Sequence, residues 1–113
     1  MIPRISLDLD GKPRMVAENR AKWIAYWFNV ETKLYETNNG YHVESGLISD
    51  KYDLSPERLL SIRELLNEDP KRIRMDRERI ERGWEWDVLF FSKKGHERKE
   101  IGRVLPGSWQ IIT

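Results

Sequence analysis

The sequence contains no cysteine and no long apolar run. Without a thiol there can be no disulfide, no zinc–thiolate finger, no Fe–S cluster and no cysteine nucleophile. No stretch approaches the ~18 consecutive apolar residues of a membrane span. The opening Met-Ile-Pro-Arg lacks the build of a secretory signal. A cytoplasmic protein with no membrane contact is the expectation. At 113 residues the chain has room for one domain over 1–113, but not for a barrel of eight βα units or a full doubly wound sheet. With 39% hydrophobic and 35% charged residues, and five Trp, it has the composition of a packed domain rather than a disordered one.

The formal net charge of +1 conceals an asymmetry. Residues 1–70 carry nine basic and twelve acidic side chains, giving −3, whereas residues 71–113 carry eleven and seven, giving +4. An acidic part beside a basic part suits an anionic ligand bound through a cation. A salt-bridged, solvated helix face would produce the same count.

Strict alternation over residues 5–10 (Ile-Ser-Leu-Asp-Leu-Asp) predicts a strand with Ile5, Leu7 and Leu9 on the core face and Ser6, Asp8 and Asp10 on the other. Gly11-Lys12-Pro13 ends it. Helical periodicity follows over 15–28, where Ala17, Ala21, Ile24 and Phe28 form a stripe that Val16, Trp23 and Trp27 widen. Residues 32–37 and 41–48 predict a hairpin turning on Asn39-Gly40, with Thr37 opposite His42 and Tyr35 opposite Glu44. Ser55-Pro56 starts a helix with a capping side chain, a proline at the first position and a Leu54–Leu59 staple; its buried stripe is Leu59, Ile62, Leu65 and Leu66. Asp69-Pro70 stops that helix and opens a charged one ending near Gly83, with Ile73, Met75 and Ile80 to bury. A strand is expected over 86–92, a basic turn at Lys93-Lys94-Gly95, and a C-terminal extension over 95–113 with one or two short strands. This order implies an α+β fold, an antiparallel or mixed sheet with helices on one face, of the ferredoxin or RRM type.

Asp8 and Asp10, two residues apart on one strand, stand side by side on one sheet face. Two such carboxylates repel unless a cation lies between them, and hard Mg²⁺ or Mn²⁺ suits the pair, completed by substrate phosphates. The plain alternative is a turn at Asp10-Gly11 beside a solvated Asp8, although Asp is unfavourable within strands. His42 follows the hairpin turn and faces the same way as Tyr35 and Thr37; a hydrogen-bonded strand histidine is its plain reading. His96 lies in the basic turn as an exposed residue. The C-terminal basic residues Arg72, Arg74, Arg77, Arg79, Lys93 and Lys94 are candidates for contacting nucleic-acid phosphates, with Trp84 and Trp109 as stacking platforms and Trp23 and Trp27 as core. No metalloprotease helix, phosphate-binding loop or nucleophile elbow is present.

Together, residues 5–10, the following helix, and Thr37-Asn38-Asn39-Gly40-Tyr41-His42-Val43 resemble the first two motifs of the archaeo-eukaryotic primase superfamily. There an Asp-x-Asp strand is followed by a small residue, any residue and His on a second strand of an RRM-like palm. Residues 67–76 and 88–94 are similar to short primase-like relatives from archaea and their mobile elements. The resemblance spans residues 4–94. It implies catalytic roles for Asp8 and Asp10 as metal ligands and for His42 as a contact to the phosphates of an incoming nucleotide. A third carboxylate would be Asp76, after Met75, or Asp87, after Trp86. Gly40 stands where the family often has Ser. The absence of a zinc element implies a stripped-down or relic member, one that transfers nucleotidyl groups or only binds, in a host cytoplasm if viral, beside a replication protein.

Two further readings follow from the residues. A non-catalytic RRM-like module would bind single strands on an aromatic open face. A self-associating protein would form a homodimer through the apolar tail Trp109-Gln110-Ile111-Ile112 or a sheet edge.

Overall fold

In the computed structural model, which describes residues 3–84, 86 and 97–113, strand β1 (Ser6–Asp10) forms where the alternation places it. Ile5, Leu7 and Leu9 are fully buried on one face. Helix α1 (Arg14–Phe28) covers that face through Ala17, Ala21, Ile24 and Ala25. Small side chains let the helix lie close to the sheet, and left-handed Asn29 ends it.

Strands β2 (Thr32–Thr37) and β3 (Gly40–Ser45) form the expected hairpin, and β4 (Arg98–Val104) completes an antiparallel sheet in the order β1-β3-β2-β4. The fold is therefore α+β, with three helices and a four-stranded antiparallel sheet among the described residues. The stretch expected as an extension supplies a strand of the sheet, and the tail returns to it. Arg103 and Ile112 exchange two backbone hydrogen bonds of 2.9 and 2.8 Å, and the Gly107 N–H donates to the Ala25 carbonyl at the end of α1. The apolar tail is thus paired within its own chain. Of the strand expected over 86–92, only Trp86 is described, and it packs against the core.

The hairpin register departs from the expected one. Tyr35 pairs with His42 and Lys33 with Glu44, so the two-residue loop is Asn38-Asn39 and Gly40 belongs to β3. Close approach of β1 explains this. A Cβ on Gly40 would stand 2.3 Å from the Leu9 carbonyl oxygen and 2.9 Å from the Asp10 Cα, so glycine is spent on strand contact rather than on turn geometry. Gly40→Ala must push β1 from β3 and is expected to cost about 1–3 kcal/mol, as overpacked positions do. In a thermal melt of a domain this size that lowers the midpoint by roughly 4–8 °C per kcal/mol. An unchanged midpoint would contradict the close approach.

Helix α2 (Pro56–Leu65) starts as expected, the Arg58 N–H donating to Ser55 Oγ at 3.3 Å. Its buried face differs. Leu65 is exposed, while Leu60 and Arg63 are buried with Leu59 and Leu66. Helix α3 (Pro70–Glu81) buries Arg72, Ile73 and Asp76, and Met75 is half exposed. The inner surface between these helices is built from paired charges, which a search for apolar periodicity passes over.

Candidate metal and phosphate site

Alternation sends Ser6, Asp8 and Asp10 to the face opposite the leucines, and pairing places Asp8 beside His42 and Asp10 beside Gly40. Both main-chain groups of Asp8 point away from β3. Its N–H donates to Glu68 Oε2 at 2.7 Å, and its carbonyl accepts from the Asp69 N–H at 2.9 Å. Asp8 and His42 therefore form a non-hydrogen-bonded strand pair, the kind that brings side chains closest. His42 Nε2 lies 3.5 Å from Asp8 Oδ1.

Past Asp10 the chain turns at Gly11, whose φ of +71° is natural to glycine, and the Gly11 N–H donates to the Asn39 carbonyl at the hairpin tip. The exit of β1 is thereby tied to the hairpin. The third acidic residue comes from the junction between α2 and α3. Asp69 caps α3, its Oδ1 accepting from the Lys71 N–H at 3.1 Å. One ligand atom each from Asp8, Asp10 and Asp69 lies within 4.8 Å of the others.

Converging carboxylates leave an electrostatic signature. Partial shielding from solvent, a proton shared with Asp8, and the charges of Asp8 and Asp69 push the Asp10 carboxyl up to about 6. Burial would raise Asp8 as well. The His42 and Asp10 side chains beside it and the Arg72 charge outweigh that and hold it below the usual carboxylate range. Asp8 Oδ1 and His42 Nδ1 are both buried with no hydrogen-bond partner among the described residues. Buried polar atoms are normally paired. A buried carboxylate oxygen with His42 Nε2 at 3.5 Å but no hydrogen bond, in a cluster of three acids, suits a hard divalent cation with oxygen ligands.

A buried ion network supports this ring. Arg63 places Nε 2.5 Å from Glu68 Oε1 and Nη2 2.8 Å from Asp76 Oδ2. Arg79 bonds the other Asp76 oxygen at 3.1 Å, and Arg72 bonds Glu68 Oε2 and, at 2.9 Å, the Ser6 carbonyl. Burial pushes the Glu68 carboxyl above its usual range, against the pull of Arg72 and Arg63.

The sequence candidates divide accordingly. Asp8, Asp10 and His42 are brought together. Asp76 is not part of the acidic ring; it is fully buried with both oxygens held by arginines. Arg72 and Arg79, expected on phosphates, are occupied within the same network. Arg74 and Arg77 are exposed and line a groove of about 340 Å³ with Lys12, Asn67 and Pro70. Its lining lies close in sequence to the ring, Lys12 two residues past Asp10 and Pro70 next to Asp69. Asp87, Lys93, Lys94 and His96 lie outside the described residues.

Trp84 is exposed beneath the Arg82 guanidinium, 4.9 Å from its ring centre. Trp109 packs edge-on against Trp23 at 4.8 Å, and Trp27, expected in the core, is 42% exposed. Sequence reasoning missed Asp69, Glu68 and Arg63. The Asp-Pro pair at 69–70 was a sufficient helix signal in itself, and nothing local ties it to β1. Compared with protein-family models, curated proteins and solved structures, the chain matches none.

Proposed function

We propose that Asp8, Asp10 and Asp69 hold one divalent cation, Mg²⁺ or Mn²⁺, with His42 beside it. Through this ion the protein binds the phosphates of a nucleotide or of single-stranded nucleic acid on a primase-like, ferredoxin- or RRM-type palm. The observation that carries this reading is the convergence of Asp8, Asp10 and Asp69, one ligand atom of each within 4.8 Å of the others, with Asp8 Oδ1 buried and without a hydrogen bond among the described residues. The β1-α1-β2 unit, with β3 inserted antiparallel between its strands, is the part of the sheet that supports the palm, whereas β4 pairs with β2 rather than with β1. Lys12, Arg74 and Arg77, with Glu64 and Glu68 among them, line a groove whose residues flank Asp10 and Asp69 in sequence. A bound cation would neutralise phosphate charge and support nucleotidyl transfer.

A metal-free, purely aromatic platform fits less well. Tyr35, which pairs with His42 on this face, has the Arg98 guanidinium 3.9 Å from its ring centre, and Arg98 also bridges Glu44. The carboxylates beside it would repel a phosphate backbone unless a cation intervened.

The test is binding of a labelled single-stranded oligonucleotide, competed with a nucleoside triphosphate, in Mn²⁺ and in EDTA. Binding that requires the ion and weakens with salt is expected. Equal binding in EDTA, or none in either condition, contradicts the proposal.

A pH dependence follows from Asp10. An ion needs this carboxylate ionised, so below about pH 6 it must displace a proton. Mn²⁺ affinity is expected to rise with pH up to about 6 and then level off. Calorimetry at pH 5 in buffers of different ionisation enthalpy should find close to one proton released per ion. Without the ion the folded state binds this proton more tightly than the unfolded chain, whose carboxyl titrates near 3.8. The metal-free stability contributed by that proton is thus lost as pH rises through about 6.

A further inference from the structure

Glu68 touches Arg63, Arg72 and the main chain of Asp8, and both its oxygens are engaged. Oε1 is held by Arg63, and Oε2 accepts from the Asp8 N–H and from Arg72. Next to it, the Asp69 N–H donates to the Asp8 carbonyl. Residues 68 and 69 therefore clasp Asp8 from its donor side and its acceptor side. Arg72 extends the clasp to the Ser6 carbonyl. Along the free edge of β1, a carboxylate oxygen stands where a neighbouring strand would offer a carbonyl, and a guanidinium where it would offer an N–H.

The effect on the ring is geometric. Asp8 and Asp69 are 61 positions apart in sequence, yet their main chains are joined by a 2.9 Å hydrogen bond that the Glu68 contact flanks. The Asp69 side chain is fixed in turn by capping α3. We propose that Glu68 is a positioning residue for the cation site: held by Arg63 and Arg72, it sets the separation of the Asp8 and Asp69 carboxylates through the main chain of β1. The inference rests on the cation reading above. Groups that orient metal ligands in this way typically change affinity by roughly 10–100-fold when altered.

The test compares Mn²⁺ affinity, measured by electron paramagnetic resonance, in three forms of the full chain. Glu68→Asp keeps the charge but draws the carboxylate back from the Asp8 N–H by one methylene. Ile24→Val thins the core on the opposite face of the sheet and controls for lost stability. At least tenfold weaker binding is expected for Glu68→Asp, with one site retained, and binding within twofold of the unmodified protein for Ile24→Val. If Glu68→Asp does not fold, Arg72→Lys takes its place, with a loss of at least threefold expected. Unchanged affinity in the Glu68 or Arg72 variant overturns the positioning role and leaves the cation site standing. An equal loss in Ile24→Val overturns it in favour of general destabilisation. No Mn²⁺ binding by the unmodified protein removes the cation site itself, and the positioning role with it.

Discussion

Arg63→Ala is expected to remove about 3–5 kcal/mol of folding stability, the usual cost of breaking a buried ion pair from one side. Arg63 is 1% exposed and its guanidinium joins Glu68 to Asp76, two carboxylates that are themselves buried. Taking it away leaves Glu68 with Arg72 and the Asp8 N–H, and Asp76 with Arg79, among the described residues, with a cavity between the two carboxylates. Domains of this size are stable by about 5–15 kcal/mol, so much of that margin would go. Urea denaturation followed by Trp fluorescence should show a lower midpoint with little change in slope. A loss under about 1 kcal/mol would mean that the network behaves as a surface one does. Replacing the charged residues together with apolar ones of matching volume need not be destabilising, because the desolvation cost of the ions disappears with them. The contrast between the single and combined replacements separates paired charge from packing.

The second large effect concerns the ring, where affinity and stability should move in opposite directions. Asp8→Asn keeps the side chain's shape but removes one of the three clustered charges, at a position less exposed than Asp10. Mn²⁺ affinity should fall at least about 100-fold, equivalent to roughly 2.7 kcal/mol. Asp10→Asn should also weaken the ion, yet raise the metal-free melting temperature above pH 6. The native carboxylate there is ionised against the charges of Asp8 and Asp69, and the amide is not. Asp69→Asn should weaken the ion with little change in melting, since Asn caps a helix about as well as Asp. If all three variants melted lower and bound Mn²⁺ as before, the carboxylates would be structural.

How much of this was legible beforehand depends on the range of each signal. Period-two alternation at Ile5, Leu7 and Leu9 located β1 and set Asp8 and Asp10 on one face, because that information lies within six residues. Ser55-Pro56 and Asp69-Pro70 located two helix starts for the same reason. The hairpin was legible but its register was not, since the contact that decides it lies between Gly40 and Leu9, on a strand outside the hairpin. The arginines of α3 looked like a phosphate-binding set. Two of them instead satisfy carboxylates four and three residues away, Glu68 in the turn before α3 and Asp76 on α3 itself; the spacing is local, but the burial of both carboxylates against Arg63 of α2 is a tertiary choice. Asp69 was hidden by its local role, because a helix cap gives no sign of what its second oxygen faces. The third carboxylate was sought on hydrophobic-Asp pairs at 76 and 87. Asp76 serves arginines in the middle of α3, and the third carboxylate of the cluster is Asp69, the cap of that helix.

The most direct measurement is anomalous scattering from crystals soaked in MnCl₂. One manganese peak is expected, about 2.0–2.2 Å from oxygens of Asp8, Asp10 and Asp69, and lost in Asp8→Asn crystals. A map without a peak among these three carboxylates, at manganese concentrations that populate other sites on the protein, would contradict the cation site.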